Sequence, residues 1–208
     1  TREVLSLFKE SGVYPEWVEV GNEINNGIMW PHGNLKKAPE QLVRFLNAGY
    51  DAVKEVCPDS QVVTHLAAVV EEEQCVPFLD NFFAQNGKTD ILGFSYYPYW
   101  QKIESSKEKL AGWLKMYSEK YHKPVLIAEV GGPDRDDEGS YKIVKDAIEA
   151  MKEMEDQEEL CVFYWEPEAT SAILPDHYPL GAAKLAGDKR LKYNKALTAY
   201  RDDMQAAE

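Results

Sequence analysis

Apolar residues along this chain fall into two alternating rhythms. Short runs rich in β-branched and aromatic residues predict buried strands at Trp17–Gly21, Gln61–Leu66, Asp90–Tyr96, Pro124–Glu129 and Leu160–Trp165. Between them, stretches whose apolar positions recur every three or four residues predict helices at Val4–Glu10, Pro39–Val56, Glu73–Gln85, Ser106–Tyr121, Tyr141–Glu153 and Lys192–Met204. The second helix is the clearest case. Leu42, Phe45, Leu46, Gly49 and Val53 share one face, Pro39 opens it, and Pro58 lies just past its end. The chain reads as five β/α units with no internal linker or low-complexity segment.

Unbroken β/α alternation implies a parallel sheet covered by helices. Two architectures compete, an open doubly wound sheet and a closed (β/α)8 TIM barrel. The open form usually carries a glycine-rich phosphate loop after its first strand. Gly21-Asn-Glu-Ile-Asn-Asn-Gly27 lacks that glycine spacing and puts an acid where a phosphate would sit. The barrel is therefore the expected class. A whole barrel takes about 250 residues and eight strands, and this chain of 208 residues supplies five. The expectation is a single domain over 1–208 in which either three N-terminal βα units are missing or the arrangement is unusual.

Composition narrows the function. With 44% hydrophobic residues the chain can build one well-cored domain. No apolar run approaches the roughly 18 residues of a membrane span, so no membrane partner is expected. Thr1–Glu10 reads as an amphipathic helix and not as a signal peptide. A formal charge of −13 argues against nucleic acid and suits a neutral or cationic substrate. Cys57, Cys75 and Cys161 lack metal-ligand spacing and read as small buried hydrophobes.

The chemistry lies at the strand ends. Trp17-Val-Glu-Val-Gly-Asn-Glu23 and Pro124-Val-Leu-Ile-Ala-Glu129 each end in a glutamate. A carboxylate there must be solvated, paired or used, and the C-terminal lip of a barrel strand is where catalytic groups sit. Two such acids facing one cleft are the minimum equipment for glycoside cleavage with retention, at a separation of about 5–5.5 Å. The general acid needs its proton near neutral pH, while the nucleophile must stay ionised and wants a donor, which Tyr96 or Tyr97 can supply. Aromatics gather at the same junctions: Trp30, Tyr96-Tyr97-Pro98-Tyr99-Trp100 and Tyr164-Trp165. Their flat faces and polar tips suit sugar rings.

Val20-Gly-Asn-Glu-Ile-Asn-Asn-Gly-Ile-Met-Trp-Pro31, Gly93-Phe-Ser-Tyr-Tyr-Pro-Tyr-Trp100, Ile127-Ala-Glu129 and Val162-Phe-Tyr-Trp-Glu-Pro167 resemble, in order, motifs of the endo-β-1,4-galactanases of glycoside hydrolase family 53, in clan A. The resemblance implies that the chain holds strands four to eight, with Glu23 as acid/base and Glu129 as nucleophile. It implies that Asn22 contacts the sugar 2-hydroxyl, that Trp165 is the sugar platform, and that His65 lines the cleft. Trp30 and Trp100 fit neighbouring subsites, and Glu166 fits an orienting role. Ala67-Ala-Val-Val70 after His65-Leu66 departs from the polar residues expected there and implies fewer subsite contacts.

No cofactor is required on this reading, and no metal ligands are assigned. Asp134-Arg-Asp-Asp-Glu-Gly139 begins like a calcium loop, and some family members hold calcium after strand seven. Lys145 stands where the closing glutamate belongs, which favours a solvated acidic loop. The implied partner is a β-1,4-galactan or arabinogalactan oligosaccharide, met outside the cell or at its surface. Two alternatives stay open: a clan A glycosidase of different specificity, and a non-catalytic or incomplete carbohydrate-binding half-barrel. An incomplete barrel would expose strand edges and self-associate.

Overall fold

The computed structural model describes residues 1–154, 161–174, 178–187 and 189–206. The chain divides into two compact units, Thr1–Phe94 with Tyr117–Val125, and Ser95–Met116 with Leu126–Glu208. Strand β5 (Ile91–Tyr96), helix α5 (Lys107–Tyr121) and strand β6 (Val125–Val130) each run from one unit into the other along the chain. No helix among the described residues is long and apolar enough to cross a membrane.

The first unit begins with α1 (Arg2–Glu10) and β1 (Trp17–Glu19), followed by a small hairpin of β2 (Gly27–Ile28) and β3 (Gly33–Asn34). Helix α2 (Pro39–Val56), β4 (Gln61–Leu66) and α3 (Glu72–Ala84) complete it. β1 lies parallel to β4, with Val18 opposite Val62, and β4 lies parallel to β5, with His65 opposite Gly93. Leu5 of α1 packs with Val53, Val56, Cys57 and Val62, so one helix face and one strand face share a core. Burying each such side chain contributes about 1.5–3 kcal/mol. Asp90, at the start of β5, ties the layers together. It accepts from the Val62 amide at 2.8 Å and the Tyr50 hydroxyl at 3.0 Å, and pairs with Lys54 at 2.8 Å.

In the second unit, β6 runs parallel to β7 (Val162–Tyr164). Ile127 pairs with Val162 and Val130 with Tyr164, so β6 spends two residues where β7 spends one. This bulge falls on Ala128 and Glu129. Short helix α4 (Pro98–Gln101) follows β5, and α6 (Asp137–Met151) buries Val144, Ala147 and Met151. A hairpin of β8 (Ala183–Leu185) and β9 (Leu191–Tyr193) leads to α7 (Thr198–Ala206), which packs on α6.

Most elements agree with the sequence pattern to within one or two residues, α2 and β4 without any shift. Leu160, the expected first residue of the last strand, lies outside the described residues. Two boundaries are corrected. Helix α6 starts at Asp137 instead of Tyr141, because the Asp136 carboxylate accepts from the Gly139 amide at 2.9 Å and caps it. Lys192 lies in β9 and not in the last helix, which starts at Thr198.

Candidate active site

In the first unit, Glu23 follows β1 on a tight turn. Gly21 has φ +88°, and a β-carbon there would come within 2.8 Å of both Ile24 and Ile28. Glu23 itself is left-handed, at φ 48° and ψ 53°, and begins a single 3-10 turn over Ile24–Asn26. A non-glycine residue in that region costs of order 1–3 kcal/mol and is held only where its surroundings fix it. Exposed Asn22 precedes it, and exposed Trp30 sits on the hairpin beyond.

His65 is the penultimate residue of β4 and is fully buried, at 0% exposure. Its Nδ1 lies 3.1 Å from Oε1 of Glu19 on the neighbouring strand. A ring nitrogen of His65 and a carboxylate oxygen of Glu23 lie within 4.8 Å of each other. The histidine is thus flanked by two acids of its own unit.

Sequence reasoning overlooked Asn25. It is buried, its Oδ1 accepts from the Ala67 amide at 2.7 Å, and its Nδ2 donates to the Ala67 carbonyl at 3.2 Å. The available signal was a second amide residue just behind the Asn-Glu pair, in a segment otherwise too short to need capping.

In the second unit, Glu129 is 7% exposed and sits in the β6 bulge, a feature that re-aims side chains beside active sites. The Tyr97 hydroxyl donates to its Oε2 at 2.9 Å. Burial drives the Tyr97 phenol far above its ordinary pKa, with Tyr178 and Glu129 adding to the effect, so it stays a donor. Gly131 makes room for this ring, since a β-carbon there would lie 3.1 Å from Tyr97 Cε1 and 2.9 Å from the Leu180 carbonyl.

Tyr96 points elsewhere. Its hydroxyl donates to Ser105 at 3.1 Å and accepts from the Ser106 amide, and Ser105 in turn donates to Asp146 at 2.5 Å. Trp165 is 45% exposed, and its amide donates to Val130, the residue after Glu129, at 3.0 Å. Glu166 next to it is exposed and left-handed at φ 43°. Trp100 is exposed and meets Tyr99 edge-on with ring centroids 4.8 Å apart.

The acidic loop is occupied by protein partners. The amide and hydroxyl of Ser171 donate to Asp134 Oδ2 at 2.9 and 2.7 Å. Asp136 caps α6, Asp137 pairs with Lys184, and Glu138 pairs with Lys195. Among the described residues, this loop contributes no group of three converging metal ligands.

A family model described as glycosyl hydrolase family 53 matches residues 1–204. The chain is 28% identical over 197 residues to the "Uncharacterized protein in bgaB 5'region" of Niallia circulans, covering 80% of this chain and 53% of that protein. It is 25% identical over 188 residues to the arabinogalactan endo-beta-1,4-galactanase A of Aspergillus niger, with the same two coverages of 80% and 53%. A solved structure from work on two fungal beta-1,4-galactanases matches with a TM-score of 0.79 at 17% identity, over 96% of this chain and 65% of the other. At that identity the likeness shows the fold alone, which is part of a (β/α) barrel. The chain spans about half the length of the curated relatives it matches.

Proposed function

Because the chain belongs to glycosyl hydrolase family 53, we propose that it acts as a retaining endo-β-1,4-galactanase on galactan or arabinogalactan, as the barrel segment from strand four to strand eight. The substrate follows the name of the Aspergillus niger relative. The observation that carries the reading is the bond from Tyr97 to Glu129. It gives a nearly buried strand-end carboxylate a protonated phenol as donor, as a nucleophile that must stay ionised requires.

In the first step a Glu129 oxygen attacks the anomeric carbon. The glycosidic C–O bond breaks, and the Glu23 proton passes to the departing oxygen. In the second step Glu23 takes a proton from water, whose oxygen displaces Glu129 and restores the original anomeric configuration. This chemistry needs the two carboxyl groups about 5–5.5 Å apart and no cofactor. We assign half-exposed Trp165 as the platform under the sugar, Asn22 to the 2-hydroxyl beside the scissile bond, His65 to the cleft, Trp30 and Trp100 to neighbouring subsites, and Glu166 to an orienting role. A substrate of this size places the working protein outside the cell or at its surface.

The test is the anomeric form of the product released from a β-1,4-galactooligosaccharide, followed by proton NMR. It is run on this chain and on a full-length protein containing it. The β-anomer appearing first supports the reading, and the α-anomer first ends it. Glu129→Gln should abolish turnover of every galactan substrate, because no covalent intermediate can form. The coverage of about half of each relative favours one second reading, a segment that keeps the carboxylates yet turns over only when the rest of the barrel is supplied.

A further inference from the structure

We propose that Asn25 is a positioning residue for Glu23. It acts through the backbone of Ala67 and holds the turn that presents the acid, a role that rests on the acid/base reading of Glu23. Glu23 and Ala68 are both left-handed, at φ 48° and 53°, and each stands just beyond the end of a strand. One turn carries the acid, and the other follows His65. The Asn25 amide joins them by meeting both backbone groups of Ala67, at 2.7 Å to the N–H and 3.2 Å to the carbonyl.

The primary amide does this with two atoms, its oxygen accepting from the N–H and its nitrogen donating to the C=O of the same residue. Aspartate keeps the acceptor and loses the donor. Alanine loses both, which takes the side-chain acceptor from the Ala67 N–H and leaves its carbonyl to the Cys75 thiol alone. Cys75 backs the amide. Its sulfur accepts from Nδ2 at 3.7 Å, and its thiol donates to the carbonyls of Ala67 at 3.4 Å and Ala68 at 3.6 Å. Burial pushes the thiol pKa up to about 11, so the S–H donor persists through neutral pH. Ile24, between Glu23 and Asn25, is buried as well, which leaves the turn little room to relax.

A residue that merely supports the fold would slow every substrate alike. One that positions the acid should slow the bond-cleaving step only where a proton must be delivered to the leaving group. In the full chain, Asn25→Ala is expected to lose roughly 10–100-fold in kcat on β-1,4-galactan, within the range a general acid supplies. With a dinitrophenyl β-galactobioside, which leaves without protonation, the loss in kcat/KM, which reports bond cleavage ahead of the water step, should stay within about 3-fold. KM for galactan should change little. Asn25→Asp should show the same selectivity to a smaller degree and remains available if the alanine variant fails to fold.

Equal losses on both substrates, or no loss on either, overturn the proposal. Glu23→Gln measured alongside separates the two claims. If that variant lacks leaving-group selectivity, the acid/base reading itself fails. If it shows selectivity and the Asn25 variants do not, only the clamp fails. A crystal structure of Asn25→Asp gives a readout independent of turnover. Glu23 should leave the left-handed region, and a φ still near 48° with the bond from residue 25 to the Ala67 carbonyl gone counts against the clamp.

Discussion

The Tyr97 hydroxyl lies 2.9 Å from Oε2 of Glu129 and donates to it. Burial keeps that phenol protonated at any pH the protein meets, so the carboxylate always has its donor. A donor to the ionised form favours ionisation. Tyr97→Phe removes that donor and should therefore move the acidic limb of kcat/KM to higher pH. A pH profile of the variant that overlays the wild type would dissociate Tyr97 from the chemistry.

Asp90 sets a second pH dependence, this time in stability. Burial alone would raise its carboxyl pKa, but Lys54, the Val62 amide and Tyr50 outweigh burial and hold it below the ordinary carboxylate range. The ionised form is then favoured more in the folded state than in the unfolded one. Its contribution is present above the unfolded carboxylate pKa of about 3.9 and is lost as pH falls through the lower folded value. Asp90→Asn should cost about 1–3 kcal/mol near neutrality. The gap between the two proteins should close below about pH 4, as read by urea unfolding across pH.

Calcium should leave the protein indifferent. Asp134 already accepts two bonds from Ser171, and its three acidic neighbours each serve a different partner. Melting curves with excess calcium and with EDTA should coincide. Asp134→Ala should lower the melting temperature in both, since it removes two hydrogen bonds from Ser171 at a cost of about 1–3 kcal/mol. A calcium-dependent rise of several degrees would mean that these side chains rearrange around an ion.

Helix α1 points to association. Leu5 is buried against α2, yet Val4, Leu7 and Phe8 on the same helix are exposed, as are Val13 and Tyr14 just after it. An apolar patch of this kind seeks cover. Sedimentation of the chain at rising concentration should reveal self-association, and Leu7→Glu combined with Phe8→Lys should suppress it. A wild-type chain that remains monomeric throughout would remove this patch as an interface.

The helices and strands were legible because their patterns were long enough to average out local exceptions. The eighteen residues of α2 repeat one apolar stripe between two prolines. The β8–β9 hairpin was not legible, because Ala183-Lys-Leu185 and Leu191-Lys-Tyr193 each show one alternation, which a helix turn mimics. The acids after β6 begin like a ligand loop, though Lys145 favours a solvated one, because spacing alone cannot separate a cation site from a cap. Asp136 has the same identity in either case, and its role as a cap shows only in the Gly139 amide pointing at it. In the site, Glu129 with a tyrosine donor could be read from strand ends. The choice of Tyr97 over Tyr96 could not, because it turns on which of two adjacent residues ends the strand: Tyr96 is the last residue of β5 and Tyr97 begins the turn into α4. Asn25 lay hidden because its partners are backbone atoms, which have no letter in a sequence.

The bulge in β6 makes the aim of Glu129 a matter of counting. Ile127 and Val130 both meet partners on β7 that are two residues apart, although they are themselves three apart. One supernumerary residue, in the pair Ala128–Glu129, therefore sets the local bend from which the acid emerges. Substitutions at Ala128 leave that count untouched, whatever they do to packing. Deleting Ala128 would remove the bend and leave Glu129 alone opposite Phe163 in a regular ladder. At this position the spacing of the chain is constrained more tightly than its chemistry, and length variation should be tolerated in the loops on either side before it is tolerated here.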